Sequence, residues 1–472
     1  MAHDITSGRL ARLGVQAAEA AGRAREVAAQ VRADGIETLR VLFADQHGVL
    51  RGKAVTAEAV ESVLRDGLTV PSTLLLKDTA HRTAFAVWEA GGYAPVRGAG
   101  DVLLVPRPGT FRVLPWAPRS AWMLCTPVHP DGRPLTFAPD TVLERAEERL
   151  AAQGLEARFG QEVEFHIFEG NGQTAGVGAY MSESRYGAME PLLDTLRRDA
   201  QALGLPVRSV EIEAGAGQVE FTFAPGPARQ QADALVMFRT LAREVCAREG
   251  FDACFMPRPG RAGSQTQTPA RTQDMGSGWH LHQSLIARDT GRNLFTPEVP
   301  GRLTPEAAGW IAGLLTHAAE ISVLSAPTVN SYKRYRPGRL APCRIAWGEG
   351  GRGVMLRALL TPGDAASRIE NRAPDVSANP YYALAAQIHA GLAGLETGLT
   401  PPPPAAAPLG SGAALLPRSM GQALDAFAAS DFCRAALGAE VADYLLPLKR
   451  AEWDRYLDHV SAWEQAEYAS LF

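Results

Sequence analysis

Cysteine is scarce in this chain, with five in 472 residues, and the scarcity is informative. Cys125, Cys246, Cys254, Cys343 and Cys433 are odd in number, widely scattered and never in a Cys-x-x-Cys pair, so neither a disulfide framework nor a zinc site is indicated. Reduced, mostly buried thiols are expected. An excess of one charge is also missing. Against 47 basic residues stand 51 acidic ones, and no basic run or aromatic-interleaved basic stripe offers a surface to nucleic acid. No apolar stretch reaches the length that a bilayer span requires, and the opening MAHDITSGRLARLG lacks the apolar core of a secretion signal. These absences point to a cytoplasmic protein with no membrane or nucleic-acid partner.

What is present is an ordinary globular composition, 46% hydrophobic and 21% charged, in a chain too long for one compact core. The Ala-rich segment 8–34 reads as a surface helix, and IETLRVLFADQHGVLRGKAV as two strands joined at DQHG. Short strands such as DVLLV at 101–105 follow, and LPWAPRS near residue 115 reads as a linker. Beyond it, helices at 139–153, 187–204 and 228–249 alternate with strands at 155–169, 207–213, 218–223 and 253–257. That order predicts an α+β or α/β architecture, with a small mixed domain over 1–115 and a larger domain over 116–472. The run TPPPPAAAPLGSG at 400–412 cannot be helical throughout, and terminal helices are expected from about 418 to 467.

The chemistry lies in strands whose polar residues alternate with apolar ones. In GWHLHQSL, His280, His282 and Ser284 share one face while Leu281 and Leu285 take the other. Alone, a His-x-His pair serves equally as a hydrogen-bonded face or as a metal or nucleotide site. In GQEVEFHIF, Glu162 and Glu164 share a face, and EIEAGAGQVEFTF adds Glu213 and Glu220 around a glycine-rich turn. SRIENRAP sets Arg368, Glu370 and Arg372 at the same period of two. Carboxylates aligned on several strands repel unless a cation intervenes, and oxygen ligands with one imidazole suit Mg²⁺ or Mn²⁺ better than zinc. With Arg334, Arg352 and Arg357 added, and with no Walker-type loop, the set suggests phosphoryl transfer from a nucleotide cradled by strands.

Taken together, DQHGVLRGK, EVEF, EAGAGQVE, GSGWHLHQS, NSYKR followed by PG and AP, and RIENR with ANPYYALAA resemble the glutamine synthetase family, in the family's order over residues 45–387. The tail VSAWEQAEY is similar to the members that ligate organic amines, the γ-glutamylamide ligase branch. The resemblance implies a small β-grasp domain, a catalytic domain with a curved half-barrel sheet flanked by helices, and two stacked hexameric rings with active sites between subunits. It also implies ATP-dependent joining of glutamate's γ-carboxylate to a nitrogen. By motif position, Glu164, Glu213 and Glu220 would hold one Mg²⁺ or Mn²⁺, and Glu162, His280 and Glu370 a second. His282 and Ser284 would contact ATP, with Arg352, Arg357 and Arg368 facing its phosphates. Gly276, Arg334 and Arg372 would bind glutamate. Asp45 would enter a neighbouring subunit's nucleophile pocket and, with Arg352, take part in catalysis.

The departures from the family pattern concern the nucleophile. Where ammonia-using members carry a flap glutamate in Pro-Gly-x-Glu-Ala-Pro, PGRLAP places Leu340, which neither attracts ammonium nor accepts its proton. Met275 replaces an asparagine before the active-site glycine. Trp279 and Trp347 either add apolar surface nearby or serve the core. No tyrosine occurs at 400–412, so adenylylation there is not expected. Arg336, Arg339 and Arg344 around the flap should repel a polyamine. The favoured expectation is a γ-glutamyl ligase for an organic monoamine, with an arylamine such as aniline best suited to the missing acid. The alternatives are an ammonia-using glutamine synthetase, a polyamine or ethanolamine ligase, and a non-catalytic structural member.

Overall fold

The computed structural model describes residues 5–88, 98–176, 178–260, 275–337 and 340–472. Strict alternation in TLRVLFA makes β1 (Thr38–Ala44) a strand with Leu39, Val41 and Phe43 fully buried on one side. It pairs antiparallel with β2 (Leu50–Thr56) and parallel with β6 (Ala117–Val128). The six-stranded sheet is completed by β3 (Leu68–Pro71), β4 (Asp101–Pro106) and β5 (Arg112–Leu114), in the order β2-β1-β6-β4-β3 with β5 on β6. The expected division at 115 is corrected by β6. The segment read as a linker is the start of this sheet's central strand, and its Pro118 sits where the β5–β6 register shifts, a place that tolerates proline. The expected helix over 8–34 is two helices, Arg9–Arg12 and Ala18–Ala33, parted at Gly14, whose φ of 68° ends a helical turn.

The second sheet has eight strands: β7 (Leu155–Glu169), β8 (Val207–Ile212), β9 (Gln218–Pro227), β10 (Phe251–Cys254), β11 (Trp279–Ala287), β12 (Trp347–Glu349), β13 (Leu356–Leu359) and β14 (Arg368–Asn371). Their order is β12-β13-β14-β11-β7-β9-β8, with β10 on β7. One face is apolar. Val163, Phe165, Ile167, Val219, Phe221, Leu281 and Leu285 are buried, and Phe165 and Phe221 pack on Phe238 of the helix Ala228–Arg248. This side also carries a buried amide network in which Gln283 donates to Gln387, while Trp310 donates to Gln283 and Asn371 to Gln387. It ties β11 and β14 to the helices Pro305–Thr316 and Pro380–Glu396 and fixes register where a one-residue slip would reverse both faces.

The two sheets are joined by buried polar contacts. Arg107 forks onto Asp233 at 3.0 and 2.8 Å, and Arg239 donates to the carbonyls of Gly48, Val376 and Ala378. None of the helices among the described residues is long and apolar enough to cross a membrane.

Candidate active site

The face of the second sheet opposite the apolar layer is polar, and strand register decides which residues meet on it. Directly opposed residues in antiparallel pairs project to the same side. Glu162 lies opposite His280, Glu164 opposite Glu220, Glu220 opposite Glu211, and His282 opposite Glu370, which in turn faces Arg357. Six strands thus deliver acids, imidazoles and guanidinium groups to one surface. An open cleft lies over it.

Glu162 is the centre of the histidine pair. Its two oxygens meet His280 Nδ1 at 2.9 Å and His282 Nε2 at 2.8 Å. Arg368 Nε donates to His282 Nδ1 at 3.1 Å, which leaves Nε2 to carry the proton toward Glu162. Burial pushes the Glu162 carboxyl up, but hydrogen bonds from the two histidines outweigh it and hold the group well below the carboxylate range. Glu370 also ends below that range, because His280 and Arg372 outweigh its burial; Arg357 and Arg372 donate to its two oxygens.

The acids further along the face lack such relief. Burial and Glu164 push Glu213 up to about 7, while burial, Glu162 and Glu164 push Glu220 up to about 10. That imbalance is what a cation would correct. Two groups, Glu162 with Glu220 and His280, and Glu162 with His282 and Glu370, each bring their ligand atoms within 4.8 Å of one another. Oxygen donors with a single imidazole in each group fit a divalent cation. The grouping differs from the expected one in that Glu162 is shared and His282 joins a cation group. Glu164 and Glu213 stand on the same cleft wall but outside those compact groups.

The expected glutamate-binding residues also meet in this cleft. Arg334 is buried, donating to the carbonyls of Ala373 and Pro374 at 2.9 and 3.2 Å, and Arg372 stands beside Glu370. Gly276 fits because a Cβ there would come within 2.8 Å of the Arg334 side chain. Arg352 is exposed on the wall, Arg357 bonds the Gly350 carbonyl and Glu370, and Ser284 donates to the Ser367 carbonyl at 3.0 Å.

Other expectations are corrected. Asp45 is fully buried in its own hairpin, where it accepts from the backbone of His47 and Val49 and pairs with Arg51 at 2.5 Å. A carboxylate with both oxygens so engaged is not presented to a neighbouring subunit. For Trp279 and Trp347, where two readings stood open, the core one holds: both are buried and bonded, to Gln161 and to the Pro402 carbonyl. Of the flap cations, Arg344 is tied to the carbonyls of Leu409 and Ala413, Arg336 is exposed away from the cleft wall, and Arg339 lies outside the described residues. Glu211 and Glu213 line the wall instead, so like-charge repulsion does not exclude a polyamine.

Three residues escaped sequence reasoning. Gln218 is buried, donating to Glu164 at 2.9 Å and to the Gly276 carbonyl at 3.1 Å while its oxygen accepts from Gly215 N at 2.9 Å. One amide thereby fixes a metal-type carboxylate, the glycine of the glutamate wall and the turn beside Glu213. Its position two residues before Glu220, on the same strand face, was the available signal. Tyr180 and Met181 line the cleft with Leu340, and all three are exposed to it. Met181 has a φ of 53°, a left-handed conformation uncommon for a side-chain-bearing residue. No periodicity could have shown these two.

A family model described as glutamine synthetase, catalytic domain, matches residues 136–468. Among curated proteins, the chain is 32% identical to the γ-glutamylanilide synthase of an Acinetobacter species, over 95% of this chain and 96% of that protein. It is also 32% identical to the γ-glutamylethanolamide synthetase of Streptomyces coelicolor, over 93% and 94%. A solved structure described as a GmaS/ADP complex superposes with a TM-score of 0.80 at 26% identity, covering 94% of this chain and 99% of that one.

Proposed function

Because the chain belongs to the glutamine synthetase family, we propose that its cleft joins the γ-carboxylate of glutamate to an organic monoamine with cleavage of ATP to ADP, and that the amine is aromatic. Identity does not choose the amine, since it is 32% to both the anilide and the ethanolamide enzyme. The observation that carries the aromatic assignment is the wall made by Tyr180, Met181 and Leu340, three apolar side chains exposed in the cleft. Large apolar groups left open to water inside a polar cleft suit an apolar ligand.

In the reaction the glutamate γ-carboxylate attacks the γ-phosphorus of ATP, the bond to the β-phosphate oxygen breaks, and ADP leaves γ-glutamyl phosphate. The amine nitrogen then attacks the acyl carbon, the bond from that carbon to the phosphate oxygen breaks, and the proton lost by the nitrogen leaves on the departing phosphate. Divalent cations, Mg²⁺ or Mn²⁺, would be held by Glu162 with Glu220 and His280 and by Glu162 with His282 and Glu370, with Glu164 and Glu213 beside them on the cleft wall, and would neutralise phosphate charge there. Arg334 and Arg372 hold glutamate through their guanidinium forks, and Arg352, Arg357 and Arg368, with His282 and Ser284, orient the nucleotide. Leu340 accepts no proton, which suits an arylamine whose nitrogen is already neutral at physiological pH.

Assembly into two hexameric rings is part of the proposal. Its support is the family pattern and the apolar C-terminal surface, where Leu457, Val460, Trp463 and Leu471 are exposed. A cytoplasmic location accords with five unpaired cysteines and a need for ATP.

The test is a competition. The protein is incubated with ATP, glutamate, Mg²⁺ or Mn²⁺ and equimolar aniline, ethanolamine, putrescine and ammonium, and the products are identified by mass spectrometry. Predominant γ-glutamylanilide is expected. Predominant glutamine or a polyamine adduct would overturn the amine assignment, and an absence of glutamate-dependent ADP would overturn the ligase itself.

A further inference from the structure

A second cavity lies away from the cleft between the β1–β2 turn and the helices behind the second sheet. Its walls are largely apolar, with Val236, Phe255, Leu324, Val376, Phe427 and Leu445 among them. Into this lining come three cations, Arg239, Arg243 and Lys449, whereas no aspartate or glutamate is found on the wall among the described residues. Apolar pockets with a few convergent charges are the usual form of small-molecule sites.

Among the described residues Arg239 and Arg243 pair with no carboxylate, whereas Lys449 pairs with Glu452. Arg239 is buried and gives three of its N–H donors to backbone carbonyls, which leaves others for a ligand. Arg243 is exposed at the mouth with its guanidinium 5.7 Å from the Phe255 ring centroid. Lys449 is buried and donates to the Pro327 carbonyl at 3.0 Å, while Glu452, the nearest acid to it, stands at 3.7 Å. Asp45, behind the turn, is already held by Arg51. Burial and the Arg243 charge pull the Arg239 guanidinium down to about 10, and burial and Lys449 likewise keep the His47 imidazole low. On the wall itself positive charge is in excess, in a place where desolvation makes it costly, while the acids Asp45, Asp375 and Glu452 act on it from behind.

We propose that this cavity binds a small organic carboxylate with an aromatic or similarly apolar body, its carboxylate among Arg239, Arg243 and Lys449 and its body against the Val236, Phe255 and Leu324 wall. Planar guanidinium groups recognise carboxylates well, and apolar walls beside them require a ligand with both properties. The site is independent of the ligase reaction. Two of the carbonyls that Arg239 holds, those of Val376 and Ala378, lie on the segment that follows Arg372 and the carbonyls that Arg334 grips.

Isothermal titration of the full-length, nucleotide-free protein with phenylacetate and 3-phenylpropionate tests this directly, with phenylacetamide as the neutral counterpart. One carboxylate should bind per subunit, phenylacetamide should bind about tenfold more weakly or not at all, and saturating glutamate should leave the dissociation constant unchanged. Arg243→Glu, at an exposed position that leaves the fold and the basal ligase activity intact, should weaken binding about tenfold, whereas Arg243→Lys should retain most of it. Absence of binding by both acids overturns the proposal. So does equal binding of the amide, displacement by glutamate, or indifference to Arg243→Glu.

Discussion

At one end of the cleft, Glu162, Glu164, Glu220, His280, His282 and Glu370 stand on four hydrogen-bonded strands; at the other, Tyr180, Met181, Met275 and Leu340 stand on loops. The strand end is largely buried and tied together by His280, His282, Arg357, Arg368 and Arg372. The loop end exposes apolar side chains and contains a left-handed Met181. Phosphoryl transfer requires fixed charges in fixed places, so it is built on the sheet. The choice of nucleophile is left to loops that can change without disturbing the sheet.

The contrast breaks most severely if the strand end is disabled. Glu162→Ala or His280→Ala should lower kcat by roughly 10³-fold or more while circular dichroism and sedimentation stay unchanged, because each removes a ligand from a shared cation group. Near-native turnover at ordinary Mg²⁺ concentrations would show that the ligands are misassigned. Gln218→Ala should act more mildly. Losing the amide that positions Glu164 and Gly276 should weaken Mn²⁺ binding about 10–100-fold and raise the glutamate KM, readouts a merely structural residue would not move together. At the loop end, Leu340→Glu should shift amine preference toward ammonium by about tenfold with little change in ATP affinity. Measuring kcat/KM for ammonium and aniline in the variant checks it.

The smallest effect concerns pH. Glu213 and Glu220 are raised in the fold to about 7 and about 10 from an ordinary 4.5, so the folded protein binds more protons than the unfolded chain between those values. With respect to these groups the metal-free protein should therefore be most stable below about pH 4.5 and lose stability as pH rises toward 10. Added Mg²⁺ or Mn²⁺ should flatten that slope. Thermal melts across pH, with and without metal, read it, and a metal-free slope of opposite sign would contradict the charge imbalance inferred for the cleft.

Legibility followed the same division. Period-two alternation in EVEF, WHLHQS and RIENR already placed Glu162, Glu164, His280, His282 and Glu370 on strand faces, and the sheet register brought those faces together. The helix at 139–152 and the strand at 155–169 were readable to within a residue for the same reason. Turns and loops gave less. The proline in LPWAPRS suggested a linker because its place at a register shift depends on a partner strand remote in sequence. Asp45 matched a motif, yet the carboxylate's orientation is set by Arg51 and two backbone amides within its own turn. The Tyr180–Met181 wall arises from a loop with no period, and only the folded chain brings it beside Leu340.

The most direct measurement is the steady-state kcat/KM of the native protein for aniline relative to ammonium, at saturating ATP, glutamate and Mg²⁺, by coupled detection of ADP. A loop end built from Tyr180, Met181 and Leu340 predicts a ratio well above unity, about 10²-fold in favour of aniline. A ratio below unity would contradict the apolar nucleophile pocket and leave only the ligase chemistry of the strand end standing.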